Sequence, residues 1–380
     1  MISANRIKAV AKKEIKQISR DKRFLGILLL LPVMLLVLFG YAVNFDVKNI
    51  KLAVQDMDKS YESRQFINSL TSSEYFTLVE YIHENEKTTS ALDEKRTQVV
   101  MVIPSDFSNK LHRAKEETHV QFLIDGVDGN SATIIKNYVE AATLKYNSDF
   151  QKEMFAKLGI KQTIPIDLQP VFWFNPELRT TVFLIPGLIA MILIITSVVS
   201  VSLSLVREKE RGTIEQINVS SLNTLEVMLG KVLPYVVIAL IDAVFILIAG
   251  YILFDVVVKG DYALMFLSTL IFIISGTSLG IFISSVADSQ QVAFTAATFA
   301  SMLPSLILSG FIFPIESMPV VIQWLTNITP AKFYLTSLRA IMLRGVGLEA
   351  FWEQWIYLGV FTFLLLLLGN IISKRKEAKN

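Results

Sequence analysis

Two features of the chain carry the residue types that chemistry needs, and both stand against apolar runs. Asp242 sits near the middle of the run at residues 232–254, where a charged carboxylate must find a partner or take up a proton. One reading is an interhelical hydrogen bond; the other is contact with a substrate or a proton. The second feature is Arg207-Glu208-Lys209-Glu210-Arg211, five consecutive charges of both signs that end the run at residues 182–205. Such a block cannot lie in hydrocarbon. Gly212 follows as a breaker, Thr213-Ile214-Glu215-Gln216 starts a new helix, and an amphipathic segment to residue 228 leads through Gly230-Lys231-Val232-Leu233-Pro234-Tyr235 into the next run. The chain leaves the bilayer, forms one structured elbow and returns.

The missing motifs exclude several chemistries. No phosphate loop is present, since Gly230-Lys231 is followed by Val232 and lacks the upstream glycine, so the chain cannot hydrolyse ATP alone. Leu308-Ser309-Gly310 has only a chance likeness to a transport-ATPase signature, being set in an apolar run without the Gly-Gln that should follow. His83-Glu84 has no second histidine one helical turn on, and His112 and His119 stand in no carboxylate pattern, which argues against a metal site. There is no Gly-x-Ser-x-Gly elbow. Cysteine is absent, which removes disulfides, thiolate metal sites and a thiol nucleophile.

The elements that must position these residues are membrane spans. The 380 residues are 52% hydrophobic and 18% charged, with mean hydropathy +0.50, more apolar than an ordinary soluble domain. The net charge of +2 does not indicate nucleic acid, because the cations cluster beside apolar runs and no base-stacking motif accompanies them. Residues 1–23 carry Arg6, Lys8, Lys12, Lys13, Lys16, Arg20, Lys22 and Arg23, with Ile7, Val10, Ala11, Ile15 and Ile18 at helical spacing. That pattern predicts a basic amphipathic helix on the cytoplasmic membrane face. The run at 24–43 is too long for a signal sequence and lacks a small-residue cleavage site, so it reads as an uncleaved first span with the N-terminus inside.

Residues 44–178 mix charges, turn residues and short apolar runs, and predict an α/β domain on the outer side. Its strands are expected near 51–55, 75–79, 98–103 and 119–124, with helices near 61–70, 88–95 and 105–113 and a long helix over 129–158. Spans follow at 182–205, 232–254, 264–286, 292–313 and 352–372, six in all, returning the tail at 374–380 to the cytoplasm. The expected fold is an α-helical polytopic membrane protein of six transmembrane helices, filling 24–43 and 179–373, with an inserted α/β extracytoplasmic domain. Residues 314–347, cut by Pro314, Pro319 and Pro330, predict a re-entrant hairpin of two short helices in the outer leaflet. Gly276, Gly280 and Ser284 mark close helix packing, within one subunit or between two. Pro304, amid Ser301, Ser305 and Ser309, should kink the fifth span, either lining a translocation path or merely bending around a neighbour.

Taken together, three separated motifs resemble those of ABC-2 type transport permeases. They are Arg207 to Gln216 with Leu229-Gly230-Lys231-Val232-Leu233-Pro234-Tyr235; Leu308-Ser309-Gly310-Phe311-Ile312-Phe313-Pro314-Ile315-Glu316-Ser317-Met318-Pro319; and Thr329-Pro330-Ala331-Lys332-Phe333-Tyr334 with Leu338-Arg339. Trp173-Phe174-Asn175-Pro176-Glu177-Leu178-Arg179, and a large domain between the first two spans, are similar to the bacterial drug-type exporters of that family. The resemblance implies a half-transporter in the bacterial cytoplasmic membrane, paired with an identical or sister permease and bound to a separate ATPase, with a periplasmic adaptor in some systems. ATP and magnesium would bind that ATPase, and this chain would hold no cofactor. The resemblance also implies that residues 207–221 are a coupling helix docked on the ATPase, with Arg207, Glu208, Lys209, Glu210, Arg211, Gly212, Thr213, Glu215 and Gln216 as its site and the N-terminal helix bracing it. Asp242, Pro304, Ser305 and Ser309 would line the path of hydrophobic or amphipathic, drug-like or lipid-linked substrates. Two other classes stay open: a non-transporting sensor or scaffold whose outer domain binds a ligand, and, ranked last, an ion-coupled carrier, which should show internal repeats and several intramembrane acids.

Overall fold

An apolar run in hydrocarbon can satisfy its backbone only within itself, so the long runs become helices. The computed structural model describes residues 3–42, 49–73, 75–83, 88–113, 117–157, 173–175, 179–212 and 224–377. Down the chain come α1 (Ala4–Arg20), α2 (Lys22–Ala42), β1 (Ile50–Asp56), α3 (Tyr61–Thr71), β2 (Phe76–Tyr81), α4 (Ser90–Asp93), β3 (Val99–Ile103), α5 (Phe107–His112), β4 (Gln121–Ile124) and α6 (Gly129–Lys157). Then follow α7 (Thr180–Glu210), α8 (Thr224–Phe254), α9 (Tyr262–Val286), α10 (Gln290–Ile307), α11 (Val320–Leu325), α12 (Pro330–Arg339) and α13 (Trp352–Glu377). The chain divides into two compact units, Met1–Asn44 with Val171–Asn380, and Phe45–Pro170.

In the helical unit, α7, α8, α9 and α13 are long and apolar enough to cross a membrane. The span expected at 24–43 falls on the 21-residue helix α2, whose apolar segment among the described residues is Leu28–Tyr41, and the one expected at 292–313 falls on the shorter α10. Helix α10 has 18 residues and ends at Ile307, six residues before the expected limit. The last turn closes when Leu308 N–H bonds the Pro304 carbonyl at 2.8 Å, and Gly310 at φ +79° then turns the chain away. Pro304 lies inside the helix, one turn from that end.

Helix α7 is the centre of this unit. It packs on α2, α8, α9, α10 and α12, and 78% of its apolar window is buried, against 11% for α13 at the rim. The small residues of α9 make one of these contacts: a Cβ on Gly280 would stand 2.8 Å from the Val198 carbonyl oxygen, and one on Gly276 would stand 3.2 Å from Ser197 Cβ. The packing motif is thus used within the chain.

Residues 314–347 form a 3-10 turn (Ile315–Ser317), α11, a second 3-10 turn, α12 and a π turn (Ala340–Arg344). Helix α12 is embedded, with the Tyr334 ring stacked on Phe272 at 4.0 Å and its hydroxyl 2.9 Å from Thr269 Oγ1. Helix α11 has no buried residue and exposes Trp324.

The other unit is a four-stranded sheet in the order β2-β1-β3-β4, with β1 parallel to both β2 and β3, and β4 antiparallel to β3. Alternation sends Ile50, Leu52 and Val54 of β1 to one face, where they meet Phe66, Ile67 and Leu70 of α3 and Ile135, Val139 and Tyr146 of α6. Ala53 and Val100 face the other way with Ile82 and Ala91. All four strands and the long helix stand within a few residues of where the sequence puts them.

Candidate functional site

The charged block is the last turn of α7, and the helix runs through it to Glu210. Gly212 then takes φ +65°, a left-handed C-terminal residue whose N–H bonds the Lys209 carbonyl at 3.2 Å. Thr213, Glu215 and Gln216, with the rest of the elbow to residue 223, lie outside the described residues.

Four of the five charges turn toward the chain itself. Arg207 Nε donates to Gln290 Oε1 at 3.2 Å, and Lys209 Nζ donates to the Ser284 carbonyl at the end of α9. Glu210 accepts from the Gln290 backbone N–H at 2.6 Å and from its side-chain amide, which places a carboxylate at the N-terminus of α10, where the helix dipole favours it. Glu208 faces inward, between Lys231 Nζ of α8 at 2.6 Å and Lys13 Nζ of α1 at 3.0 Å. The side chains of Glu208 and Lys231 are only 10% and 3% exposed, so this is a buried ion pair. Lys209, Glu210 and Arg211 remain exposed, while Arg207 is half-buried and Glu208 buried.

Two further acids stand near Glu208. Glu226, at the start of α8, is fully buried; it accepts from Ser3 N–H at 2.7 Å and lies 3.6 Å from Arg6. Glu14 of α1 is also buried; its Oε1 accepts from Ser204 Oγ of α7 at 2.7 Å and from Tyr235 OH of α8 at 3.4 Å. The apolar side of α1 is turned to protein too. Ala11 and Ile18 are buried, and a Cβ on Gly230 would come within 2.6 Å of Val10. Ser3 and α1 as far as Ile18 run beside residues 226–238 of α8, with buried partners there for Glu14 and Ile18. Only Ile15 of the apolar series is exposed.

The remaining predicted residues do not assemble into one site. Asp242 is 1% exposed on the buried stripe of α8 with Ala239, Ala243 and Ile246, and its Oδ1 has no hydrogen-bond partner among the described residues. On α10, Ser305 and Ser309 are buried, the Ser309 hydroxyl bonds the Ser305 carbonyl, and Pro304 is half-buried. Among the described residues no hydrogen bond joins Asp242 to Pro304, Ser305 or Ser309.

Sequence reasoning missed Lys13, Glu14, Glu226 and Lys231 as a connected set. The available signal was Lys231 and Glu226 at the start of an apolar helix, where a buried charge must be paired; the identity of the partner is not local information. It also missed Arg339, whose guanidinium lies 4.1 Å from the Phe183 ring and donates to the carbonyls of Gly310 at 2.9 Å, Phe183 at 3.2 Å and Phe311 at 3.4 Å. Gly310 and Phe311 lie just past the end of α10, where carbonyls have no intrahelical donor.

Comparison with known proteins gives a consistent result. The family described as ABC-2 family transporter protein matches residues 22–371. The probable multidrug ABC transporter permease YbhS of Escherichia coli K12 is 30% identical over 346 residues, 91% of this chain and 90% of that protein. YbhR of the same organism, with the same description, is 30% identical over 92% of this chain and 93% of its own length. ABC transporter G family member 20 of Dictyostelium discoideum is 27% identical over 98% of this chain but only 51% of its own length.

Proposed function

The chain belongs to the ABC-2 family of transporter proteins, and from that premise we propose that it is the membrane-spanning permease subunit of an ATP-binding cassette exporter driven by a separate ATPase. It would move hydrophobic or amphipathic compounds, drug-like or lipid-linked, across the bacterial cytoplasmic membrane, as one of two permease subunits. The description of YbhS and YbhR as multidrug permeases supports the substrate class. That this chain spans half of the Dictyostelium transporter supports a division of labour in which the remaining part is supplied by another chain.

The observation that carries the reading is the build of the elbow. Helices α7 and α8 have 31 residues each, roughly 46 Å at 1.5 Å per residue against about 30 Å of hydrocarbon, so each extends well beyond one face of a bilayer. The extensions flank the elbow and are tied to each other and to α1 by buried charge. A stiff stub at the end of two spans is what a nucleotide-driven partner needs in order to move them as a two-state element. The cations of α1 support a cytoplasmic stub by the positive-inside rule, with residues 44–178 then on the outer side.

The test is affinity purification of the chain from membranes in mild detergent, with identification of what accompanies it. An ATPase bearing a phosphate loop, with a second permease subunit, is the expected result. A chain that purifies without any ATPase would leave the sensor reading in its place.

A further inference from the structure

We infer that Glu208, Lys231 and Lys13 form the joint that makes the ends of α7 and α8 move as one body, so that Glu208 acts as a positioning residue inside the stub and not as a docking charge on its surface. The inference rests on the permease reading above.

Three buried carboxylates tie the stub, one from each helix. Glu226 of α8 takes Ser3 N–H and Arg6 of α1. Glu208 of α7 takes Lys231 of α8 and Lys13 of α1. Glu14 of α1 takes Ser204 of α7 and Tyr235 of α8. Among these, Glu208 with Lys231 is the ion pair that joins the helix entering the elbow directly to the helix leaving it. Glu208 lies four residues before Gly212, and Lys231 lies seven residues into α8. Without such a tie, a turn with a left-handed glycine would let either helix swing alone, and force applied to the elbow would be lost in bending there.

An ion pair is a poor choice for stability alone, because desolvation offsets most of the attraction and an apolar pair would hold two helices as well. Its advantage is register. Two charges meet in one alignment, whereas apolar side chains slide and repack. The consequence for docking is equally direct. Since Glu208 is buried, the charges of the block that an ATPase can reach are the exposed Lys209, Glu210 and Arg211, the first two already bonded within the chain.

The experiment uses the complex that co-purifies with the wild-type chain, reconstituted in lipid nanodiscs. It compares Glu208→Gln, Lys231→Met, their double variant and the charge swap Glu208→Lys/Lys231→Glu. Two quantities are read: the amount of ATPase retained per permease, and the rate of ATP hydrolysis relative to the ATPase alone. Each single variant should keep its ATPase while losing permease-dependent hydrolysis by at least about tenfold, as expected when one member of a buried pair is removed. The swap should restore most of that loss, and the neutral double should lose less than the two singles combined, because paired residues are not additive. Single variants that shed the ATPase to the same degree whatever stands at residue 231, or a folded swap without recovery together with additive losses in the double, would overturn the inference while leaving the permease reading intact. A wild-type chain with no ATPase bound would overturn the permease reading itself, and the joint with it.

Discussion

Among the described residues nothing stands within 4 Å of the position a Cβ on Gly212 would take, and the backbone angle of +65° is what resists a side chain there. Gly212→Ala should therefore cost about 1 kcal/mol, the penalty of the left-handed region for an L residue, read as a modest fall in melting temperature in detergent. Gly212→Pro is more severe. It demands a negative φ and removes the N–H that bonds Lys209, so permease-dependent ATP hydrolysis should vanish while membrane insertion remains. Normal hydrolysis in the proline variant would take the turn out of the mechanism. Asp242 presents the opposite problem, a buried acid with an oxygen unpartnered among the described residues. The neutral isostere Asp242→Asn removes the cost of holding a charge in the bundle and should raise the melting temperature. If substrate export falls in that variant although the protein is more stable, the carboxylate touches the translocated compound; unchanged export assigns it to packing.

At the scale of elements, α7 organises the bundle, and its contacts set the sensitive positions. A Cβ on Gly280 would press on the Val198 carbonyl, and a β-branched side chain there has nowhere to go. Gly280→Val is expected to destabilise the α7–α9 contact by about 1–3 kcal/mol, the usual range for overpacking, and to lower the yield of monodisperse protein in detergent. A second sensitive point is Arg339, which holds the outgoing end of α10 against the start of α7 through three carbonyls. Arg339→Met keeps the length and apolar stem of the side chain but takes the donor from the Gly310 and Phe311 carbonyls, at about 1–3 kcal/mol for each that stays buried and unpaired. The expected sign is faster proteolysis between residues 308 and 319 with the transmembrane helices intact; equal protection would show that the carbonyls find other donors.

On the scale of the whole molecule, the absence of cysteine makes sidedness directly measurable. Lys136, 64% exposed on α6, and Arg211, exposed at the end of α7, offer one position in each unit. In intact cells a membrane-impermeant maleimide should label Lys136→Cys at once and Arg211→Cys only after permeabilisation. The reverse pattern would invert the topology and remove the elbow from the compartment that holds ATP.

What could be read along the chain was whatever depends on neighbours in sequence. Length and apolar period specify the long helices, β-branched alternation specifies the strands at 50–56 and 99–103, and three separated motifs identify the family, because each requires only residues a few positions apart. The end of α10 at Ile307 was not legible, since an apolar run continues to residue 313 and only the Gly310 turn with the Arg339 clamp stops the helix early. Nor was the facing of the charges. Glu208 and Arg211 look alike in sequence, each at the polar end of a span, yet one is buried between Lys231 and Lys13 and the other meets solvent. A charge at a helix end is satisfied equally by water or by a counter-charge brought from far along the chain. The choice falls to tertiary packing, which here brings residues 13, 208 and 231 together and so decides which acid is part of the joint.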